Sequence, residues 1–214
     1  MRYRCELPSG IVIVDTVAAY AASLEEMQRI VYPTLASSQR ALAEHYRKHI
    51  EMFPEGQFTA LDGVTPVGST ISIRLSEDFL YGKHTFDDIF TGGWCSSHDP
   101  HGDWLYGVDV SVYPEYRGRG IARALYQARH AACRALGLKG QYSMGMLNGY
   151  SGVRERYSID EYYAKVVAKE IFDPTVSMQM KVGFEPVGLV HDYLEDPTCG
   201  NACVRLVIPT EKEI

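Results

Sequence analysis

The chain has 214 residues, 46% of them hydrophobic and 22% charged, the balance of a globular domain with a sizeable core. Its 21 basic and 27 acidic side chains leave a formal net charge of −6, which excludes a general nucleic-acid coat because phosphate binding needs concentrated basic surface. No apolar run approaches the ~18 residues that cross a bilayer, Met1 to Glu6 carry charge too early for a secretion signal, and five scattered cysteines read as reduced thiols in a cytoplasm.

In chain order, residues 11–14 predict a short buried strand after Gly10. Ser23 and Glu26 are spaced as a capping box that opens a helix ending near Pro33. A second helix is predicted from Ser37 or Ser38. Leu42, Tyr46, Ile50 and Phe53 form its buried face, His45 and His49 its solvated rim, and Pro54 and Gly56 its end. Residues 58–61, the turn pair Asp62-Gly63, and Ile71, Ile73 and Leu75 alternating with Ser72 and Arg74 predict two antiparallel strands. Residues 76–103 hold no long period and read as a long loop insertion of the kind that forms lids or binding elements.

A strand pattern returns at Val108, Val110 and Val112, alternating with Asp109 and Ser111. The strongest helix follows, with Ile121, Leu125, Ala128, Ala132 and Leu136 on one face, Arg123, Arg129 and Arg134 off it, and Gly137 as its stop. Residues 139–148 predict a strand, and Ser158 with Glu161 a second capping box. Asp173-Pro174 breaks that helix, a short one ends at Gly183, and strands are expected near 184–190 and 202–208. Strands and helices mix without strict βαβ alternation. The expectation is therefore a single α+β domain over residues 1–214, a mixed central sheet flanked by helices.

Chemistry concentrates where the 108–112 strand runs through Arg117-Gly118-Arg119-Gly120 directly into the Ile121 helix. Glycines let a main chain approach a ligand closely, and the first amides of a helix have no internal partner and favour an anion. Arg117, Arg119 and Arg123 add positive charge there, so the turn is a candidate anion site. A phosphate-binding Walker loop fails because no lysine follows either glycine, and a dinucleotide fingerprint fails because Arg123 stands where a third small residue is needed. A bare G-x-G pair also reads as turn geometry alone.

The whole segment, V-x-V-x-P-x-x-R-G-x-G-I-A from Val110 to Ala122 with an alanine-rich helix behind it, resembles the acetyl-CoA motif of the GNAT superfamily of N-acetyltransferases. The resemblance implies a GNAT-like acyl-CoA N-acyltransferase fold. In it the turn of Arg117, Gly118, Arg119, Gly120, Ile121 and Ala122 wraps the coenzyme A pyrophosphate, and the main chain of Val110 and Val112 pairs with the pantetheine arm. Glu115 stands where the family carries Gln or Arg, which weakens one side-chain contact and leaves the amide cradle intact. The implied activity is transfer of an acetyl group from acetyl-CoA to the amine of a small-molecule or peptide acceptor, directly within a ternary complex. The alternative is a GNAT-fold module that holds coenzyme A without turnover and acts through a protein partner. Neither implies a nucleic acid, membrane or metal, and a homodimer is compatible with both. A narrower resemblance, in His98 to Asp103, Tyr106-Gly107, Asp173-Pro174-Thr175, Gly183-Phe184-Glu185 and His191 to Leu194, is to GNAT domains beside or fused to nitrilase-like carbon–nitrogen hydrolases, and implies a separately encoded hydrolase partner.

Amine attack on a thioester needs a neutral amine and a protonated leaving thiolate. Asp109, on the motif strand, is the candidate base, or else a carboxylate on the solvated face of that strand. The family's acid is a tyrosine five residues before the aromatic of Gly183-Phe184, and Gln179 occupies that position. Tyr142 and Tyr150 are the nearby substitutes, with Tyr150 preferred. Glu77, Asp87, Asp88, Asp99 and Asp103 in the insertion would favour a cationic acceptor. Cys95, His98 and His101 lack the distant second ligand pair of a structural zinc site and read as turn or pocket residues, so no metal is expected.

Overall fold

The computed structural model describes residues 3–214, so Met1 and Arg2, which open the segment read for a secretion signal, lie outside the described residues. Eight strands form one sheet in the order β1-β2-β3-β4-β5-β6-β8-β7. They are β1 (Arg4–Glu6), β2 (Val12–Asp15), β3 (Phe58–Asp62), β4 (Thr65–Leu75), β5 (Trp104–Val112), β6 (Gly140–Met146), β7 (Glu185–Val190) and β8 (Cys203–Pro209). Every neighbouring pair is antiparallel except β5 and β6. This is the expected α+β mixed sheet.

Helices cover both faces. Helices α1 (Ala21–Val31) and α2 (Ala43–Met52) pack Leu24, Met27 and Tyr46 in one cluster with Ile71, Ile73 and Tyr106. Helix α5 (Ile121–Leu136) packs Leu125, Ala128 and Ala132 with Leu105 and Val112 on the other face. Leu105 and Tyr106 are consecutive on β5 and so point to opposite sides of the sheet. The insertion is not structureless: α3 (Glu77–Tyr81) and α4 (Phe86–Phe90) bury Leu80, Phe86, Ile89 and Phe90 in the α1/α2 cluster. Ser158 and Glu161 do form the capping box that opens α6 (Ile159–Val167), and α7 (Val176–Val182) ends at Gly183 as expected.

Three sequence expectations fail locally. Helix α1 begins at Ala21, so Ser23 and Glu26 lie within it and Glu26 pairs with Arg29. Helix α2 starts at Ala43 rather than Ser37 or Ser38, and its buried face keeps Tyr46, with Phe53 buried after it, but is wider than predicted. Leu42 is its 43% exposed N-cap, while His45 and His49 are buried. The His45 Nδ1 accepts the Leu42 N–H at 3.1 Å and His49 Nε2 bonds the Gly93 carbonyl at 2.7 Å, so a main-chain group engages one nitrogen of each ring that the periodicity assigns to solvent. Arg129, assigned off the apolar face of α5, is 1% exposed.

Candidate active site

Strands β5 and β6 pair in parallel only from Trp104↔Gly140 to Gly107↔Ser143. Beyond that row β6 continues against β8 as far as Met146, while β5 continues against β4 as far as Val112. The two strands therefore fork. The β6-facing edge of β5 past Gly107 has no strand partner, and its Val110 carbonyl is taken by the Tyr32 hydroxyl at 2.9 Å. Val108, Val110, Met144 and Met146 line the fork half-buried.

A β-bulge sits at the crotch. Across β4, Ile71 pairs with Asp109 but Ser72 pairs with Gly107, which leaves Val108 as the extra residue. The extra residue reverses the alternation, so Asp109 and Ser111 rather than Val108 face α1. There the Asp109 carboxylate accepts from Ile71 N–H at 2.9 Å, from Ser111 Oγ at 3.0 Å and from the Gln28 side-chain amide. Gln28 in turn donates to the Tyr46 hydroxyl at 3.0 Å. Asp109 is half-buried and has no direct cationic partner among the described residues. Burial raises its pKa above the ordinary aspartate value, against the opposing pull of the Ile71 N–H, the Arg129 charge, Ser111 and Gln28. A carboxylate so held is a stronger base than a solvated one.

On the α5 side the crotch is closed by Arg129. Its Nε donates to Ser72 Oγ at 2.9 Å, and Nη2 donates to the Ile71 carbonyl at 2.8 Å and to the Asp109 carbonyl. Gly107 is required beneath it, since a Cβ there would meet Ser143 Oγ at 2.6 Å and the Arg129 Nη1 closer still. The guanidinium thus pins main chain on both sides of the bulge without a carboxylate partner.

At the open end of β5, residues Pro114–Tyr116 make one 3₁₀ turn and the chain enters α5 through Gly118 (φ +76) and Gly120 (φ +81). Gly120 is the N-cap, and no side chain caps it. The Arg117 N–H is spent on the Pro114 carbonyl. Among the described residues, the amides of Gly118 through Arg123 have no hydrogen-bond partner, and the first inward bond of the helix is Ala124 N–H to the Gly120 carbonyl at 3.0 Å. The uncommitted amides therefore start one residue later than the expected Arg117–Ala122 set. Gly118, Arg119, Gly120 and Arg123 are exposed, Ala122 is half-buried and Ile121 is buried beneath the turn. Arg117 Nε reaches back to the Val112 carbonyl at 3.4 Å, and Arg119 lies over the Tyr116 ring and bonds the Glu115 carbonyl at 3.1 Å. Six amides without a partner among the described residues, a helix start and three arginines thus meet at the mouth of the fork, an arrangement chemically able to hold an anion.

The other named residues are placed as follows. Tyr150 stands on the connection after β6, its ring 5.7 Å from that of Tyr162. Tyr142 is buried and donates to the Leu80 carbonyl at 2.8 Å, so it is a core residue. Gln179 is buried on α7, over Gly145 of β6. In the insertion, Glu77 and Asp103 both pair with Lys139 at the edge where β5 and β6 begin, the opposite edge from Gly120. Asp88 caps α4, Asp87 accepts from Gln39, and Asp99 accepts the His101 N–H. The acids are thus committed to local structure and do not gather at the fork. His98 accepts the Arg74 N–H and stacks on Phe53, while Cys95 is fully buried. Tyr32, Tyr126 and Arg129 at the fork escaped sequence reasoning, because only strand pairing brings them together.

The profile of the Acetyltransferase (GNAT) family matches residues 21–144. Two Bacillus subtilis (strain 168) proteins are similar. The probable hydrolase YhcX is 34% identical over 173 residues, 81% of this chain and 33% of that protein. The uncharacterized N-acetyltransferase YkwB is 30% identical over 148 residues, 69% of this chain and 66% of that protein. The chain spans about a third of the first relative and about two thirds of the second. Among solved structures, the GNAT-like decarboxylase GphF in complex with isobutyryl-CoA superposes with a TM-score of 0.79 at 18% identity, over 93% of this chain and 99% of that one. At that identity the likeness shows a shared fold. No described helix is long and apolar enough to cross a membrane.

Proposed function

The chain belongs to the GNAT family of acetyltransferases, and from that membership we propose that it is an acyl-CoA-dependent N-acyltransferase with acetyl-CoA as donor. The observation that carries this reading is the continuity of the forked β5 edge with the uncommitted amides of Gly118 through Arg123. An extended chain carrying a pyrophosphate fits that path. Its amides would lie along Val110 and Val112, and its phosphates on the cradle with Arg117, Arg119 and Arg123 around them. The donor supplies a thioester, whose carbonyl carbon is the electrophile.

The residues of the chain do the rest. Asp109, on the α1 side of the sheet, takes a proton from the incoming amine, directly or through one water. The Ile71 N–H, Ser111 and Gln28 fix its rotamer, and Arg129 fixes the bulge that aims it. Tyr150 and the connection after β6 border the acceptor side. Direct transfer is supported by the state of the Cys95 thiol: burial raises its pKa and the nearby Asp109 charge raises it further, which keeps it protonated and a poor nucleophile. The similarity to a protein named a probable hydrolase, three times the length of the match, supports a hydrolase as the partner of this domain. Release of free thiol from acetyl-CoA, stimulated by one member of a panel of amines, tests the reading. Coenzyme A binding with no stimulation by any amine would instead favour a non-catalytic module.

A further inference from the structure

If Asp109 removes the amine proton, the departing thiolate still needs one, and the position that would hold a tyrosine by resemblance holds Gln179. The surroundings of Gln179 supply a replacement. Its carboxamide is 4% exposed, and its Oε1 has no hydrogen-bond partner. That oxygen lies directly over Gly145, in the part of β6 that has already left β5; a Cβ at Gly145 would collide with it. Beside the carboxamide lies the Tyr126 hydroxyl, brought in from α5. The Tyr126 ring is held edge-on against Phe184 at 5.3 Å, and the Arg129 guanidinium carbon lies 5.7 Å from its centroid. Two polar ends from two helices thus converge on the α5 side of the fork, opposite the face on which Asp109 meets Gln28.

We propose that Tyr126 is a catalytic residue that protonates the coenzyme A thiolate, and that Gln179 is the positioning residue that orients its hydroxyl. This rests on the donor site proposed above. The step balances. The amine nitrogen forms its bond to the carbonyl carbon, the C–S bond breaks with its electron pair leaving on sulfur, and the Tyr126 O–H proton passes to that sulfur. Asp109 holds the amine proton, and solvent restores Tyr126.

The electrostatics of the neighbours agree. Burial raises the Tyr126 pKa and Asp109 raises it further, while Arg129 and Gln179 pull it down. The hydroxyl therefore stays protonated at neutral pH, with a cation under the ring to stabilise the tyrosinate formed in the step. The groups beside it are Arg129 on α5 and Gln179 on α7, and the Asp109 charge acts on it from the other face of the sheet.

Binding of coenzyme A and of desulfo-coenzyme A, in which hydrogen replaces the thiol, tests the contact without any acceptor. Both are titrated calorimetrically into the parent, Tyr126→Phe and Gln179→Leu, at a pH where the bound thiol is ionised. The parent should prefer coenzyme A about tenfold, the scale of one hydrogen bond to a charged group. Tyr126→Phe should erase that preference while binding desulfo-coenzyme A like the parent, and Gln179→Leu should lower it in part. An unchanged preference in Tyr126→Phe overturns the assignment of Tyr126 and leaves the donor site standing. Failure of the parent to bind either ligand overturns the donor site itself.

Discussion

The Asp109 carboxylate accepts the main-chain N–H of Ile71, its own partner across the β4–β5 ladder, at 2.9 Å. A ladder position that normally pairs main chain with main chain is given to a side chain, because the bulge at Val108 has moved the Asp109 backbone out of register. The carboxylate is thereby fixed on the α1 face at the crotch of the fork. Replacing Asp109 with Asn keeps the size and removes the base. Turnover should fall by roughly 10²–10⁴-fold, the usual contribution of a general base, and the dissociation constant for acetyl-CoA should stay within about twofold of the parent. Equal turnover in the two proteins would show Asp109 to be a strand residue only.

The same residue sets a pH dependence. Its folded pKa is raised above the ordinary aspartate value, so the folded state binds this proton more tightly than the unfolded chain. The stabilisation is present at low pH and is lost as pH rises through the folded pKa. Above the folded pKa the ionised carboxylate costs stability, and there the unfolding midpoint of Asp109→Asn should be no lower than that of the parent. Activity has the opposite sign, rising as pH passes through the raised pKa. A pH–rate profile of kcat/KM, set beside unfolding at two pH values, reads both.

Arg129 and Gly107 share one space. A methyl group at Gly107 would enter the van der Waals shells of the Arg129 Nη1 and of Ser143 Oγ. Gly107→Ala should therefore cost about 1–3 kcal/mol, the range of overpacking in a closed core. Urea unfolding measures it. A change below about 0.5 kcal/mol would mean that the guanidinium does not rest on Gly107.

His49 gives an independent check on the helix face that the sequence misassigns. Buried against the Gly93 carbonyl, its ring is pushed down to about 4. Below the unfolded histidine value of about 6.5 the unfolded chain takes up a proton that the folded ring refuses. Stability should thus fall as pH drops from there towards 4. Proton NMR of the ring should show His49 still neutral at pH 5. A ring that titrates like a solvated histidine would return His49 to the rim.

Much of the fold can be read from the sequence because the strand alternation, the α5 stripe and the Ser158 capping box are local patterns. The donor turn is legible for the same reason: Gly118, Gly120 and the start of α5 are contiguous, and their positive φ values and free amides follow from local geometry. The rest of the site is long-range. Asp109 is visible as a strand residue, yet its face depends on a bulge that shows only against β4. Arg129 reads as an off-face arginine because its hydrogen bonds go to main-chain oxygens of β4 and β5, which carry no sequence signal. Tyr126 and Gln179 are 53 positions apart and meet only because α5 and α7 share one face of the forked sheet.

The acids of the insertion, expected to draw a cationic acceptor, are committed elsewhere. Glu77 and Asp103 share Lys139 at the edge of the sheet remote from the turn. The double variant Glu77→Gln, Asp103→Asn should leave the KM of any accepted amine unchanged. A severalfold rise would place the acceptor path at that edge.

The donor site is tested most directly by calorimetric titration of acetyl-CoA into the parent, Arg119→Ala and Gly120→Val. Among the described residues, nothing beyond the chain neighbours of Gly120 lies within 4 Å of where its Cβ would stand, so the valine Cβ meets no internal clash. It strains a backbone at φ +81 and sets methyl groups where phosphate oxygens must approach the amides. Arg119 already bonds the Glu115 carbonyl and covers Tyr116, and its removal leaves every amide in place. The account predicts binding to the parent, weakened binding to Arg119→Ala, and no measurable binding to a Gly120→Val protein that unfolds as cooperatively as the parent. Parent-like binding by that folded Gly120→Val protein would contradict it.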